Sequence, residues 1–294
     1  MRLGYFANGL WGHLAFKKLQ KNNRAKIVFV CGRYQQKDHQ LKLLAETHGI
    51  PYYEFSDVNS ACSLSIIQGH KPDLLVSMSY DQIFKRSLLK LAHKGIINCH
   101  AGALPFYRGR SVLNWVLIND EPYFGITTHF VDEKIDTGDI IYQAKFPITD
   151  EDDYASLLCR ASIGCAEALA RSIDLIIKNK VTRVAQSSLD PHGSYFPKRK
   201  EGDELISFRK KGRAIFNFVR ALSSPGPGAR AFFEGYEVKL EKVLILSKFI
   251  DRRYAVGEVT DVEKNSFVVR ALDSNIRVLK WHCIKPIFVG GKFL

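Results

Sequence analysis

Several features are absent from this chain of 294 residues. No apolar run approaches the ~20 residues that a membrane helix needs, which excludes an integral helical membrane protein. The opening segment MRLGYFANGLWGHLAFKK lacks a charged stretch followed by an unbroken apolar one, so no secretory signal is expected. The six cysteines (Cys31, Cys62, Cys99, Cys159, Cys165 and Cys283) form no CxxC pair and show no zinc-ligand spacing. They are expected to be reduced, mostly buried thiols of a cytoplasmic protein, with no metal site. The segment Asn8-Gly9-Leu10-Trp11-Gly12 lacks the GxGxxG pattern, which excludes a dinucleotide fingerprint. There is no internal repeat and no low-complexity stretch. Acidic residues are in deficit, 30 against 43 Lys and Arg, which gives a net charge of +13.

What is present describes a folded protein. The chain is 46% hydrophobic and 12% aromatic, a content that disordered chains lack. Its length suits one large domain and one small one. The positive charge points to an anionic partner: a nucleic acid, a phosphate-bearing small molecule or an acidic surface. Up to residue 200 there are 26 basic against 19 acidic residues, and after it 17 against 11, so the last part is more basic per residue.

Strand-like and helix-like stretches alternate from the start. Arg2–Ala7, Lys26–Cys31, Asp73–Ser77 and Gly95–Asn98 read as strands, and Leu10–Leu19 and Leu41–Thr47 as helices. This alternation predicts an α/β fold with a mostly parallel, doubly wound sheet. Gly125–Val131 and Ile140–Phe146 are joined by a short polar segment, which predicts an edge hairpin. Asp153–Ile177 follows as a long amphipathic helix with capping acids at Asp150–Asp153. The expected division is a first domain over 1–186, a linker over 187–204 and a small domain over 205–294. In the last, a basic helix carries Ile215, Phe218, Val219 and Leu222 and stops at Ser223-Ser224-Pro225-Gly226-Pro227-Gly228. Four alternating stretches follow (Val238–Leu246, Tyr254–Val262, Ser266–Leu272, Ile276–Trp281), which predict a small antiparallel, OB-like barrel.

One segment stands apart: Ile97-Asn98-Cys99-His100-Ala101-Gly102-Ala103-Leu104-Pro105-Phe106-Tyr107-Arg108-Gly109-Arg110. Asn98 and His100 are two residues apart at a strand end, so their side chains share a face. The carboxyl ends of parallel strands are where open α/β sheets bind ligands. Asp136 follows in the loop Asp132-Glu133-Lys134-Ile135-Asp136-Thr137-Gly138-Asp139. An amide that stabilises an oxyanion, an imidazole that accepts a proton and a carboxylate that orients the imidazole suit acyl transfer to an amine. The attacking group then belongs to the substrate. Singly, a strand-end His and a turn Asp have ordinary structural uses. His129, inside a strand, reads as structural.

Together, the NxH pair, the LP-x-YRG loop and the later DTGDII resemble the tetrahydrofolate-dependent formyltransferases, most closely over about residues 70–145. The similarity extends more weakly over the whole chain, and the nucleotide-linked sugar N-formyltransferases are the most similar group. It implies a Rossmann-like first domain, N10-formyltetrahydrofolate as the formyl donor, and Asn98, His100 and Asp136 as the catalytic trio. Folate contacts are implied for Met78, Ser79, Tyr80, Ile83, Leu104, Asp132 and Asp139; by its residues alone the 78–83 segment also reads as an ordinary strand-to-helix loop with Asp81 as cap. Gly102 departs from the family, which commonly has serine there.

The resemblance leaves three readings open: a sugar N-formyltransferase, a methionyl-tRNA formyltransferase, and an inactive nucleic-acid-binding relative. The tRNA enzymes typically carry a basic, Gly-rich insertion where this chain has only Cys31–His39. Ser194-Tyr195-Phe196-Pro197-Lys198-Arg199 resembles the Tyr-Phe-x-x-Arg stretch of the sugar enzymes. The expected acceptor is therefore a dTDP- or UDP-linked amino deoxysugar, with nucleic acid disfavoured, no membrane partner, and a homodimer implied by the family alone. Expected acceptor contacts are Asn8, Gly9, Leu10, Arg108, Gly109, Tyr195, Phe196, Lys198, Arg199 and Arg220. An aromatic ring there stacks on the base while Lys and Arg pair with the diphosphate.

Overall fold

The computed structural model describes residues 1–246 and 253–293. Residues 247–252 and 294 of the segment expected as the C-terminal domain therefore lie outside the described residues. The chain forms two compact units. The first comprises Met1–Gly109, Phe124–Phe146 and Cys159–Tyr195, and the second Arg110–Tyr123, Pro147–Leu158 and Phe196–Leu294. Two segments from the first 186 residues thus belong to the second unit, because residues distant in sequence supply its contacts.

The strands in chain order are β1 (Arg2–Ala7), β2 (Lys26–Gly32), β3 (Tyr52–Glu54), β4 (Leu74–Met78), β5 (Ile96–His100), the two-residue β6 (Arg108–Gly109), β7 (Tyr123–Phe130) and β8 (Ile140–Pro147). Seven of them form one sheet, ordered β3-β2-β1-β4-β5-β7-β8. β1, β2 and β4 are buried along nearly their whole length, which is why they read as continuous apolar runs rather than alternating ones. The β1–β2, β1–β4, β4–β5 and β2–β3 pairs are parallel, and β7 is antiparallel to β5. The expected mostly parallel sheet with an edge hairpin is present. β3 has only three residues, each half-buried, and carries no legible sequence signal.

The helices are α1 (Gly9–Gln20), α2 (His39–Thr47), α3 (Ala61–Gly69), α4 (Arg86–Leu89), α5 (Val112–Ile118), α6 (Tyr154–Ile177), α7 (Gln186–Leu189) and α8 (Gly212–Leu222). α6 starts where expected: Asp153 Oδ1 accepts the Ser156 N–H at 2.9 Å, and Asp152 Oδ2 accepts the Thr149 N–H at 2.9 Å. Asp81 is not a cap, because α4 begins at Arg86 after Lys85.

The second unit contains β10 (Ala229–Phe233), β11 (Tyr236–Ile245), β12 (Val259–Glu263), β13 (Ser266–Arg270) and β14 (Asn275–Cys283), after the two-residue β9 (Tyr195–Phe196). The five form one antiparallel sheet, ordered β10-β11-β14-β13-β12. Its core includes Phe208, Ile215, Val219, Leu222, Phe233, Phe267 and Val278. Only four strands were expected. β10 escapes because its turn is Glu234-Gly235, with both residues at positive φ (47° and 81°), and glutamate is not a turn signal. The strand expected from Tyr254 begins only at Val259, since Gly257 stands at φ 88° and bends the chain before it.

All six cysteines are free; Cys31, Cys99 and Cys165 are buried, Cys62 and Cys159 exposed and Cys283 half-buried. Burial is thus less general than expected. Burial also pushes the Cys31 thiol up to about 12, so it is no nucleophile at neutral pH. Among the described residues, no helix is long and apolar enough to cross a membrane.

Candidate active site

Three loops leave the carboxyl ends of adjacent parallel strands. Ala7 lies opposite Met78 and Ser77 opposite Asn98, so the segments after β1, β4 and β5 share one edge of the sheet. The antiparallel strand β7 places His129 opposite Asn98 and Thr127 opposite His100. The β7–β8 connection then returns Asp136 to the same edge.

The distances join these side chains. His100 Nδ1 is 3.6 Å from Asp136 Oδ2, and His129 Nε2 is 3.5 Å from Asp136 Oδ1. Asn98 Nδ2 is 3.2 Å from His129 Nε2 and 3.5 Å from Asp136 Oδ1. His129 is 1% exposed and His100 8%, whereas Asn98 is half-buried. His129, expected to be structural only, therefore touches two of the three expected catalytic residues. Its signal in sequence was its position alone: a residue on a strand opposite Asn98, visible only once β5 and β7 are paired.

Proton positions follow from the acceptors. His100 Nε2 lies 2.6 Å from the Tyr107 carbonyl oxygen, which only accepts, so Nε2 carries a hydrogen. The proton-accepting atom of the neutral ring is then Nδ1, beside Asp136. His129 Nδ1 likewise donates to the Phe130 carbonyl at 2.7 Å. Its Nε2 then accepts from Asn98, or, when protonated, faces the Asp136 carboxylate.

Burial alone raises the Asp136 carboxyl, but the charge of His100, the bond to His129 and the Gly109 N–H at 2.9 Å outweigh it. The group is held well below the usual carboxylate range and stays ionised. Its backbone stands at φ 53°, a left-handed conformation that costs a non-glycine residue energy. At Gly138, an added Cβ would lie 1.9 Å from the Phe130 carbonyl oxygen, so only glycine lets the loop lie against β7.

Gly102 has an equally local reason. A Cβ there would stand 2.5 Å from the Tyr107 oxygen and 2.6 Å from His100 Nε2. With this backbone, the serine common in the family has no room, and the Tyr107 carbonyl serves as partner of the imidazole. Thr127 Oγ1 donates to the Gly102 carbonyl at 2.7 Å, and Gln143 Nε2 donates to the Leu104 carbonyl at 2.8 Å, which fixes the loop from below.

The residues expected to contact folate are distributed unevenly. Met78 and Leu104 are 1% exposed, and Ile83 is 62% exposed. Ser79 stands at φ 60°, and its carbonyl accepts from Arg33 Nε at 2.9 Å and Nη2 at 2.6 Å. Tyr80 stacks on Phe84 at 5.7 Å, and burial with the adjacent Cys31 thiol raises its phenol. Asp132 accepts from the Thr137 hydroxyl at 2.6 Å. The Asp139 carbonyl accepts the Phe130 N–H at 2.9 Å.

Among the residues expected to contact the acceptor, Asn8 has a buried Oδ1 without a hydrogen-bond partner. Gly9 stands at φ 65°, and its N–H donates to Asp38 Oδ2 at 2.6 Å. Leu10 is 51% exposed. Arg108 turns inward, with Nε and Nη2 3.1 and 3.0 Å from Gln186 Oε1. Gly109 binds Asp136 rather than solvent. Tyr195 and Lys198 are exposed. In the second unit, Phe196 stacks on Trp115 at 5.2 Å, and Arg199 lies over Trp115 and Phe218 at 5.6 and 5.7 Å.

Arg220, also expected to contact the acceptor, is enclosed. It is 6% exposed, donates to Asn217 Oδ1 at 3.0 Å, and gives Nη1 to the Thr149 and Asp152 carbonyls at 2.6 and 3.1 Å. A guanidinium so enclosed ties α8 to the 147–152 segment.

Two family models match the chain: formyl transferase over residues 1–173, and formyl transferase, C-terminal domain, over residues 198–285. A methionyl-tRNA formyltransferase of Geotalea uraniireducens (strain Rf4) is 38% identical over 203 residues, spanning 69% of this chain and 64% of the relative. The bifunctional polymyxin resistance protein ArnA of Wigglesworthia glossinidia brevipalpis is 35% identical over 185 residues, spanning 63% of this chain and 28% of that one. Among solved structures, WlaRD, a sugar 3N-formyl transferase crystallised in the presence of dTDP and 5-N-formyl-THF, superposes with a TM-score of 0.72 at 21% identity, covering 98% of this chain and 99% of its own. That likeness is one of fold.

Proposed function

Because the chain belongs to the formyl transferase family, we propose that it transfers a formyl group from N10-formyltetrahydrofolate to the amino group of a nucleotide-linked amino deoxysugar. The observation that carries formyl transfer is the meeting of Asn98, His100 and Asp136 on one sheet edge, within 3.6 Å of one another through Asp136. Folate supplies the activated formyl carbon.

The chain's own groups have distinct tasks. His100 takes the proton of the attacking amine at Nδ1, since Nε2 already holds one against Tyr107. Asp136, ionised, stabilises the imidazolium that results and orients the ring, and the proton held there returns to the folate nitrogen as its bond to the formyl carbon breaks. With His129 neutral, Asn98 gives one N–H to its Nε2 and has the other only loosely engaged, at 3.5 Å from Asp136, so that hydrogen serves the negative charge developing on the formyl oxygen.

The sugar-nucleotide acceptor is supported by the short Cys31–His39 segment and by the exposed Tyr195 and Lys198 of the Tyr-Phe-x-x-Arg stretch. A second reading, formylation of aminoacyl-tRNA, is favoured by the name and 38% identity of the Geotalea relative. A formyl-transfer assay with N10-formyltetrahydrofolate and, separately, TDP- and UDP-linked amino sugars and charged initiator tRNA decides between them. Turnover with one sugar nucleotide and none with tRNA is expected. Turnover with tRNA alone overturns the acceptor, and turnover with none of them overturns formyl transfer.

A further inference from the structure

Resting on the formyl-transfer reading, we propose that Gln186 is a positioning residue for the reaction: its side-chain amide ties the Asp136 loop to the Arg108–Gly109 turn and so keeps the Asp136 carboxylate beside His100. Gln186 opens the short helix α7 and is 3% exposed. Its Nε2 donates to the Asp136 and Gly138 carbonyls, each at 2.8 Å. Its Oε1 accepts from Arg108 Nε and Nη2 at 3.1 and 3.0 Å. Both amide hydrogens and both lone-pair directions are therefore used, which is full satisfaction for a buried primary amide.

The contacts close a ring. Gln186 grips the Asp136 backbone, Asp136 Oδ2 accepts the Gly109 N–H, and the neighbouring Arg108 returns to Gln186. Two features make the ring matter for chemistry rather than for stability alone. Asp136 sits in a left-handed conformation that non-glycine residues populate sparsely, and the bonds from Gln186 hold its carbonyl and that of Gly138 in place. The carboxylate is also already 3.6 Å from His100 Nδ1, and a shift of about 1 Å at a reacting group costs on the order of 100-fold in rate. Arg108 is drawn into the same device: its guanidinium is committed to Gln186, with a further contact to the His192 carbonyl at 3.5 Å.

The test uses the full chain carrying Gln186→Leu or Gln186→Glu, with two readouts. The first is steady-state formyl transfer to whichever acceptor the wild-type chain uses. The second, independent of activity, is hydrogen exchange of the Gly109 amide. Gln186→Leu is expected to lower kcat on the order of 100-fold with each KM changed by less than about threefold. Its Gly109 amide is expected to exchange at least about tenfold faster. Gln186→Glu retains the volume and the Arg108 contact but turns an oxygen toward two carbonyls. It shows the same pattern, and carries the test if the leucine variant does not fold. Unchanged Gly109 exchange in the folded variants overturns the clamp. Faster exchange with wild-type kcat overturns the positioning role. A wild-type chain that formylates no acceptor, beside faster Gly109 exchange in the variants, overturns the formyl-transfer reading and with it the kinetic role, while the clamp stands.

Discussion

His100 sits between a carbonyl and a carboxylate, and this pairing assigns one nitrogen as donor and the other as acceptor. His100→Ala and Asp136→Ala are each expected to lower formyl-transfer kcat by about 10²–10⁴-fold, the range of a lost general base. Near-normal turnover in either variant would remove the proposed roles. Gly102 is a second residue whose identity matters at atomic range. Gly102→Ser restores the family's common residue but places Cβ where the Tyr107 oxygen and His100 Nε2 already meet. It is expected to destabilise the chain by about 1–3 kcal/mol, as overpacking does, and to lower kcat. A serine variant with unchanged urea midpoint and turnover would show that the loop yields freely.

At the scale of elements, α2 is joined to the loop after β1 through one carboxylate. Asp38 Oδ1 accepts the Leu41 N–H at 2.9 Å as the helix cap, and Oδ2 accepts the Gly9 N–H at 2.6 Å. His13 Nε2 lies 2.8 Å from Oδ2. Burial alone raises the Asp38 carboxyl, but the Leu41 and Gly9 amides and His13 outweigh it and lower it. A depressed folded-state value means that the ionised form stabilises the fold above the unfolded value, near 3.8, and that this contribution is lost as pH falls through the folded value. Asp38→Ala is therefore expected to lose about 1–2 kcal/mol at pH 7, with the gap to wild type narrowing below about pH 4. Urea unfolding at pH 7, 5 and 3 checks this, and a gap that widens on acidification contradicts it. The β5–β7 pair works at the same scale, since strand pairing alone brings His129 to Asn98.

For the whole molecule, the charge of +13 is compatible with both acceptor classes, so its salt dependence discriminates. A sugar nucleotide presents two phosphates. Its KM is expected to rise by no more than about tenfold between 50 and 200 mM salt, whereas an acceptor held through 6–10 phosphates would lose roughly 10³–10⁵-fold in affinity. Steady-state kinetics over that range measures the difference. A loss of the larger size would favour the tRNA reading.

The sequence by itself determined the alternation of the longer strands and helices, because buried parallel strands must be continuous apolar runs and long helices must be amphipathic. It also carried the strand-end NxH pair and the Gly-containing acidic loop, local patterns whose resemblance to the formyltransferases implied Asn98, His100 and Asp136 as the trio. The hairpin of β7 and β8 was legible for the same reason, while β10 was not, its turn being carried by Glu234 in a conformation that glutamate does not advertise. Only the tertiary structure decided which partners these residues have. The roles of His129 and Gln186 depend on contacts made 31 and 50 residues away in the chain, to Asn98 and Asp136, and no local pattern records such a pairing. The same holds for Arg220, an arginine on a basic helix by sequence, whose carbonyl partners lie 71 and 68 residues away. Hydrophobic periodicity is written along the chain; hydrogen bonds between distant segments exist only after the chain has folded.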